Sequence, residues 1–520
     1  MYPNDREIRF IFCELVSGGL MLSTIPFFLQ RFSALLALLS GIYIASGCSS
    51  GMSMNQPPPP PVPTSVTMLL SSTANDLFSD FNIDIASVTL MNKAGSSVNL
   101  IPAIQNNGFY QTQNVEFAHL NAPSALLVTA AVPQDVYTSA SLTYTYTQFT
   151  YIFLNSNGGI SVTTDAVGEA NAIPMTAIIN LPSPIAVSGS AMGLVLNLQQ
   201  SASATLAKNG PGADTYTITP TFSLASAPIA HDSQLPKLTG LDGRITSASS
   251  GENKFTLKTV NGYSRPNAPA GSLFTIATDN GTAYQGVGGF SALGVGTFVN
   301  ADLALQPDGS LLATRIEAED PNATNVMIGP ISFVYCACIA STHSLWDVGS
   351  LQQGSDLDTN PIESWGYSYD ASTVFRISQQ INIPANLPFP ATFNSSTLVA
   401  GQNVSLSSLS ISSTVRATTI TLRPQTINGT VTAVSSAGPF TVYSVSLASY
   451  DLFPTLAVQP GQTTVLQNPR VVEVYADSST ELLNTNALAP GSVFRFNGLI
   501  FNDNGTLRMF GAQARDGVPE

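Results

Sequence analysis

The second half of the chain repeats a pattern of short strands closed by glycine-containing turns, which restricts the fold more than any other feature. Gly243–Leu257 (GRITSASSGENKFTL) matches Gly429–Val442 (GTVTAVSSAGPFTV), and each reads as strand, Ser/Gly turn and strand. Leu293–Val299 similarly matches Leu488–Phe494, and each precedes a hairpin whose turn carries Asp-Gly or Asn-Gly. These dipeptides suit the positive φ angles of hairpin turns. The repeat therefore predicts small all-β units.

A third copy lies between these two. Leu398–Val404 is followed by Arg416–Leu422, but this middle copy lacks the Asp-Gly turn. We expect three units of about 80 to 100 residues each, a common size for a small domain. Short strands closed by glycine turns at this length predict a small barrel that resembles an OB-fold.

The first half of the body also reads as strands. In Ser141–Tyr151, Leu142, Tyr144 and Tyr146 alternate with threonines, and Phe81–Ile85 alternates in the same way. No long stretch shows helical periodicity with caps. The predicted class is all-β: an N-terminal β-sandwich followed by two or three small OB-like barrels. The expected domains are a sandwich at 64–232, repeat 1 at 239–320, a divergent repeat 2 at 326–423 and repeat 3 at 427–516.

Composition excludes several classes of protein. The 520 residues are 44% hydrophobic and 10% charged, which is typical of a folded chain rather than a disordered one. The net charge is −14 with only 18 Lys and Arg, so the basic face that nucleic-acid binding needs is missing. Past residue 48 no apolar run of about 20 residues occurs, which argues against a membrane transporter.

The N-terminal segment predicts export. Arg31 precedes the short apolar run Phe32–Gly47, as in a secretory signal. Ala45–Cys48 resembles the bacterial lipobox, in which small residues precede a cysteine. This resemblance implies that residues 1–47 are a signal peptide and that the Cys48 thiol carries the lipid of a membrane-anchored lipoprotein. The alternative is an ordinary signal peptide or signal anchor with an incidental cysteine.

The residues around the cysteine add detail. Pro57–Pro61 lies in the expected linker 48–63 and predicts an extended spacer that holds the body off a membrane surface. Ser49 replaces the Asp that marks inner-membrane retention in lipoproteins, so we expect the outer membrane. Asp5 and Glu14 are unusual in a signal peptide, which makes Met21 an alternative translation start.

Two family resemblances cover most of the expected mature chain. Residues 64–230 resemble domain-of-unknown-function family 4382, in the stretches Thr67–Leu70, Ser87–Leu90, Ala131–Thr138, Ile178–Leu181 and Leu194–Leu198, with Asp76. The repeats resemble domain-of-unknown-function family 5666, in Thr282–Gly286, Phe290–Gly296 and Asp308–Ile316. Both families occur in exported bacterial proteins. Their motifs are structural and imply no activity.

No catalytic constellation is recognisable. The chain has neither a G-x-S-x-G elbow, an HExxH helix nor a phosphate-binding glycine loop. His231, Asp232 and Ser233 are consecutive, so their side chains cannot converge into a hydrolytic triad. His119 reads as a structural histidine. We therefore expect no catalytic residue and no cofactor.

Possible metal ligands are few. Asp356, Asp358 and Asn360 are spaced like the first half of a calcium loop, but Pro361 and Tyr367 replace the Gly and Glu of an EF-hand. We expect no metal, although a looser calcium site aided by Glu363 stays open. Glu317–Asp320 reads as a solvated turn.

The two body cysteines lie close together in sequence. Cys336 and Cys338 share one face of a predicted buried strand. Buried structural thiols are the favoured interpretation. Metal or redox use with His343, or a strained disulfide, stays open because an exported compartment is oxidising.

Aromatic residues cluster in the middle unit. Trp346, Trp365, Tyr367 and Tyr369 are either a binding platform or core. We expect a non-enzymatic, lipid-anchored protein of the bacterial cell envelope that binds or assembles with an envelope polysaccharide or protein. The alternative is an envelope carbohydrate hydrolase with a pair of carboxylates across a cleft.

Overall fold

Strands make up nearly all of the regular structure in this protein. A computed structural model describes residues 62–74, 80–106, 109–110, 112–117, 125–154, 160–167, 174–207, 215–227, 237–259, 273–306, 308–320, 323, 325–336, 343–347, 365–409, 415–447, 451–458, 465–483 and 488–516. The described helices are two short segments, α1 (Gln200–Ser203) and α2 (Leu452–Leu456), and a 3-10 turn at Phe290–Ala292. The predicted all-β class with barrel repeats is confirmed.

The first part of the body forms one large sheet, here called the N-terminal sheet. Its strands and the short strands beside it are β1 (Thr64–Ser72), β2 (Asp80–Asn92), β3 (Ser97–Ile101), β4 (Gln105–Asn106), β5 (Phe109–Tyr110), β6 (Gln113–Glu116), β7 (Ala125–Val132), β8 (Asp135–Leu154), β9 (Ile160–Val167), β10 (Met175–Asn180), β11 (Ile185–Val187), β12 (Ala191–Leu198), β13 (Ala204–Ala207), β14 (Thr215–Ile218) and β15 (Phe222–Ser226).

The N-terminal sheet has eleven strands in the order β3-β2-β8-β10-β15-β12-β1-β7, with β6, β9 and β11 added at β2 and β8. β1–β12 and β10–β15 are parallel pairs. The two end strands, β3 and β7, contact each other, so the sheet curls around one core. Alternation explains which residues fill that core: Phe81, Ile83 and Ile85 of β2 are buried together with Leu142 and Tyr144 of β8.

Three six-stranded sheets follow, here called barrels 1, 2 and 3. Barrel 1 comprises β16 (Lys237–Ser249), β17 (Lys254–Thr259), β18 (Leu273–Ala277), β19 (Ala283–Gln285), β20 (Phe298–Leu305) and β21 (Leu311–Ala318). Barrel 2 comprises β22 (Asn325–Cys336), β23 (His343–Asp347), β24 (Trp365–Tyr369), β25 (Val374–Ile377), β26 (Asn403–Ser408) and β27 (Val415–Leu422). Barrel 3 comprises β28 (Gln425–Ala437), β29 (Phe440–Leu447), β30 (Val471–Ala476), β31 (Glu481–Leu483), β32 (Val493–Asp503) and β33 (Thr506–Asp516).

The three barrels share one topology. In barrel 1 the order β18-β17-β16-β20-β21 closes through a parallel pairing of β18 with β21, and β19 pairs with the same edge of β21 further along the strand. Barrels 2 and 3 close through β24 with β27 and β30 with β33. This five-stranded closure resembles the OB-fold. Barrel 2 keeps the topology although its sequence lacks the Asp-Gly turn.

A repeated β-bulge explains why glycine recurs in the repeat. The first strand of each barrel carries a register shift, directly after Ile245, Ile331 and Val431. The carbonyl oxygens of these three residues accept hydrogen bonds of 2.8, 2.7 and 2.8 Å from the amides of Gly296, Gly401 and Gly491. These glycines have φ of +89°, +99° and +92°, a backbone conformation that residues other than glycine rarely adopt. Each glycine thus ties the start of the following strand (β20, β26 or β32) to the bulge.

The sheets pack into one compact unit that spans Pro60–Glu520. Leu69 of the N-terminal sheet shares a hydrophobic cluster with the interior of barrel 1. Leu406 of barrel 2 lies in one cluster with Phe501 of barrel 3. The ring of Phe453, in α2, packs against Gly401, where a Cβ atom would lie 2.6 Å from its Cδ1. Neighbouring modules are therefore in direct apolar contact.

This contact predicts different outcomes for two equivalent glycines. Gly401→Ala combines backbone strain with a clash against Phe453, whereas Gly491→Ala adds a Cβ with nothing within 4 Å. Strain costs about 1 kcal/mol, and overpacking adds roughly 1–3 kcal/mol. Denaturant unfolding should show the larger loss of stability for Gly401→Ala. Equal losses would contradict the proposed packing of Phe453 on Gly401.

Candidate functional site

A row of polar strand residues on barrel 1 faces barrel 2. Asp242 on β16, Asn300 on β20 and Glu317 on β21 lie opposite one another in the strand register. Asp302 follows on β20, and the residues that alternate with it point into the barrel core. We call Asp242, Asn300, Asp302 and Glu317 the acidic row. Barrel 2 covers this row, so its side chains are buried instead of solvated.

An ion pair joins the acidic row to barrel 2. Arg423, directly after β27, donates to both carboxylate oxygens of Asp242, with Nη1–Oδ1 and Nη2–Oδ2 distances of 2.9 Å. The Asn300 amide donates to the same Oδ1 at 2.8 Å, and the Gln380 amide donates to Asn300. A bidentate pair of this kind fixes orientation as well as distance. It therefore sets the angle at which the two barrels meet.

Serine hydroxyls hold the remaining acidic groups. Ser378 donates to Glu317 Oε2 at 2.6 Å. Ser405 and Ser407 of β26 donate to the two oxygens of Glu319, the second at 3.1 Å. The prediction of a solvated turn at residues 317–320 is wrong for Glu317 and Glu319. Both are buried because barrel 2 packs over the end of β21.

Burial changes the proton affinity of two carboxyl groups in the acidic row. Loss of solvent raises the pKa of Glu317 to about 7. The negative charges of Glu319 and Asp302 also raise this pKa, whereas the hydrogen bond from Ser378 and the positive charge of Arg423 lower it. Loss of solvent also raises the pKa of Asp302 to about 6, although the Gly240 amide donates to it at 3.1 Å. These groups can therefore take up and release protons close to neutral pH.

A second polar junction joins barrel 3 to the N-terminal sheet. Arg495 on β32 donates to the Ser72 hydroxyl at 2.6 Å and to the Phe117 carbonyl at 3.1 Å. Arg515 on β33 donates to the Ser71 hydroxyl. Both arginines are buried. The last barrel is thus tied to the first strand of the body.

The two junctions use the same positions of the barrel. Arg495 lies opposite Asn428 and Arg515 in barrel 3, as Asn300 lies opposite Asp242 and Glu317 in barrel 1. In barrel 2 the corresponding residue is Ser405, opposite Ile328 and Thr421, and it binds Glu319. One outward row, on the first strand and the last two strands of each barrel, therefore forms a contact between modules in every barrel.

The predicted aromatic cluster lies on two neighbouring strands. Trp346 is on β23, opposite Gly366, whereas Trp365 and Tyr367 are on β24. The Tyr369 side chain is buried, and its ring packs edge-on against Phe375 with centroids 5.7 Å apart. Tyr369 is therefore part of the core. A binding role for the other three stays a prediction.

Pairing brings one cysteine and one histidine together. Cys336 on β22 lies opposite His343 on β23 in the strand register. In the described part of the chain, no group of three or more His, Cys, Asp or Glu is placed to hold a metal ion. Eight other candidate positions lie outside the described residues: Cys48, His119, His231, Cys338, Asp356, Asp358, Asn360 and Glu363.

A turn with the pattern Asp-x-x-Thr recurs in each barrel, at residues 279–282, 370–373 and 477–480. The Thr hydroxyl accepts from the Asp amide at 3.0 to 3.1 Å. It also donates to a backbone carbonyl of the last strand of its barrel (β21, β27 or β33), at 2.7, 2.9 and 2.8 Å. This spacing is visible in the sequence and identifies the middle unit as a copy more clearly than its glycine turns do.

Comparison with known proteins finds a family that matches the sequence of barrel 1. Residues 242–317 match the model of a family described as a domain of unknown function (DUF5666). The match runs from β16 to β21 and includes the whole acidic row. None of the curated proteins matches this chain. Among the described residues, no helix is long and apolar enough to cross a membrane.

The junction predicts unequal effects for two arginines of barrel 2. Arg423→Ala leaves the Asp242 carboxylate buried without its cation, which costs about 3–5 kcal/mol of unfolding free energy. Arg416→Ala removes an ion pair with Asp370 that is largely solvent-exposed, and such pairs contribute about 0–1 kcal/mol. Urea unfolding of both variants measures the difference. A loss for Arg423→Ala no larger than that for Arg416→Ala would contradict a structural role for the pair.

Proposed function

We propose that this chain is a non-enzymatic, lipid-anchored protein of the bacterial cell envelope, in which a rigid stack of β modules binds or assembles with an envelope partner. The observation that carries this proposal is the repeated junction row: each barrel uses the same strand positions to fix itself against another module. Such a body holds several surfaces at set distances, which favours multivalent contact with a polysaccharide or protein.

The anchor rests on the sequence. Ala45–Cys48 resembles a lipobox, Pro57–Pro61 supplies a spacer, and Ser49 favours the outer membrane. We further propose that residues 64–230 are related to domain-of-unknown-function family 4382, whose occurrence in exported bacterial proteins would agree with an anchor. Lipid on Cys48 would hold the N-terminal sheet and the three barrels away from the membrane surface, beyond the spacer.

Lipid attachment is testable with two matched cysteine variants. Cys48→Ser removes the acceptor thiol and should abolish incorporation of labelled fatty acid and release the protein from membranes. Cys13→Ser, upstream of the apolar run, should leave both unchanged. Fatty-acid labelling and membrane fractionation of both variants measure these two effects. Quantitative retention of Cys48→Ser in membranes would reject the anchor.

The binding role needs its own experiment. Cross-linking in intact envelopes, followed by purification of the anchored protein, should recover one dominant protein or polysaccharide partner. The Cys48→Ser variant, released from the membrane, should lose this partner or recover far less of it. Absence of any enriched partner in the anchored sample would reject a binding or assembly role.

A second candidate function is hydrolysis of envelope carbohydrate. It is favoured by the raised pKa of Glu317 and Asp302, since a glycosidase needs a protonated carboxyl group as its acid. The hydrogen bonds of these groups to Ser378 and Gly240 fit a junction better than a substrate cleft. Release of reducing sugar by the native protein but not by Glu317→Gln would favour the enzyme over the binding protein.

A further inference from the structure

The junction between barrels 1 and 2 contains more acidic than basic groups. Asp302, Glu317 and Glu319 are buried, and the Asp242 side chain is only 10% exposed. The cations that act on these carboxylates are Arg423 and Arg315. With every group ionised, the junction would carry excess negative charge in a region with little water. Such an arrangement is unfavourable unless some carboxyl groups are protonated.

Each packed element contributes to the surroundings of Glu317 and Asp302. On the side of barrel 1, the charged groups near them are Asp242 on β16, Arg315 on β21, and Glu319 and Asp320 after β21. On the side of barrel 2, the cation that acts on them is Arg423, and the neutral side chains that contact the acidic groups are Ser378, Ser405, Ser407 and Thr418. Arg423 is already bound to both oxygens of Asp242. The hydrogen bonds of Arg423 thus go to Asp242, and its charge acts on Glu317 and Asp302 only through space.

The partners of Glu317 tolerate both of its protonation states. Ser378 contacts it through a hydroxyl, which can donate to a carboxylate and can also accept from a carboxylic acid. Nothing in this contact requires a negative charge, in contrast to the Asp242–Arg423 pair. A neutral Glu317 therefore keeps its hydrogen bond to barrel 2 while avoiding repulsion from Glu319 and Asp302.

We propose that the contact between barrels 1 and 2 is proton-controlled, closed when Glu317 and Asp302 are protonated and loosened when both ionise. The direction follows from linkage. Opening returns both carboxyl groups to water, where they bind protons less tightly than in the closed junction. Opening therefore releases protons and becomes easier as pH rises. The closed state is fully favoured below the solvent pKa values and loses that advantage as pH rises through about 6 to 7.

Hydrogen exchange of the full chain reports on the junction through the stability of barrel 1, because the amides of β20 and β21 are bonded within that barrel and exchange when its strands open and expose Asp302 and Glu317 to water. After correction for the intrinsic exchange rate, the protection of β20 and β21 should fall on the order of a hundredfold from about pH 5 to 6, where both groups release a proton on opening, and on the order of tenfold from about pH 6 to 7, where Glu317 alone does. The protection of β28 and β29, in barrel 3, should stay constant over the same range. This internal reference separates opening of the junction from global unfolding.

Neutral variants identify the groups responsible. Glu317→Gln should reduce the pH dependence of protection in β20 and β21, and the double variant Glu317→Gln/Asp302→Asn should remove it. Glu252→Gln, an exposed glutamate of the same barrel, should keep the native slope. A native protein without the slope, or a folded double variant that retains it, would overturn the proposal. If the double variant fails to fold, the native slope and Glu317→Gln alone decide the question.

Discussion

Asp242 and Arg423 belong to different barrels, and each loses most of its water when the barrels meet. Two hydrogen bonds of 2.9 Å compensate for that loss only if the barrels adopt one relative orientation. A buried pair of this kind adds little net stability, because the cost of desolvating two charges offsets their attraction. Removing either partner is nevertheless costly, because it leaves an uncompensated charge in the junction. The serine contacts of Glu317 and Glu319 extend this constraint along the whole junction.

The same strand row serves different chemistry in each barrel. It is acidic in barrel 1, hydroxyl-rich in barrel 2 and basic in barrel 3, where Arg495 and Arg515 bind the end of β1. Because one backbone topology presents this row three times, sequence changes at a few positions decide which module each barrel contacts. Tandem copies can thus assemble in a defined order without changing their cores.

Much of the fold could be predicted from local sequence. Alternation in Phe81–Ile85 predicts a strand whose apolar residues enter the core, and Gly296 and Gly491 recur because the bulge needs a positive φ beside it. These are short-range constraints, so a single sequence reveals them. The curl of the N-terminal sheet depends instead on contact between β3 and β7, strands that no local pattern relates.

The junction could not be predicted for a related reason. Asn300 and Asp302 alternate with apolar residues, a pattern that ordinarily indicates a solvated strand face. Glu317 and Glu319 likewise read as surface residues until barrel 2 is placed over them. Burial of a polar row depends on tertiary packing between units about a hundred residues apart in sequence. Charged residues inside strands of a chain with 10% charge were the available signal.

These junctions join the N-terminal sheet and the three barrels into one cooperative body. Scanning calorimetry of the full chain tests this cooperativity most directly. A single transition, with van't Hoff enthalpy equal to calorimetric enthalpy, is the result expected for coupled modules. Separate transitions, in which a barrel unfolds while the remaining sheets stay folded, would contradict the claim.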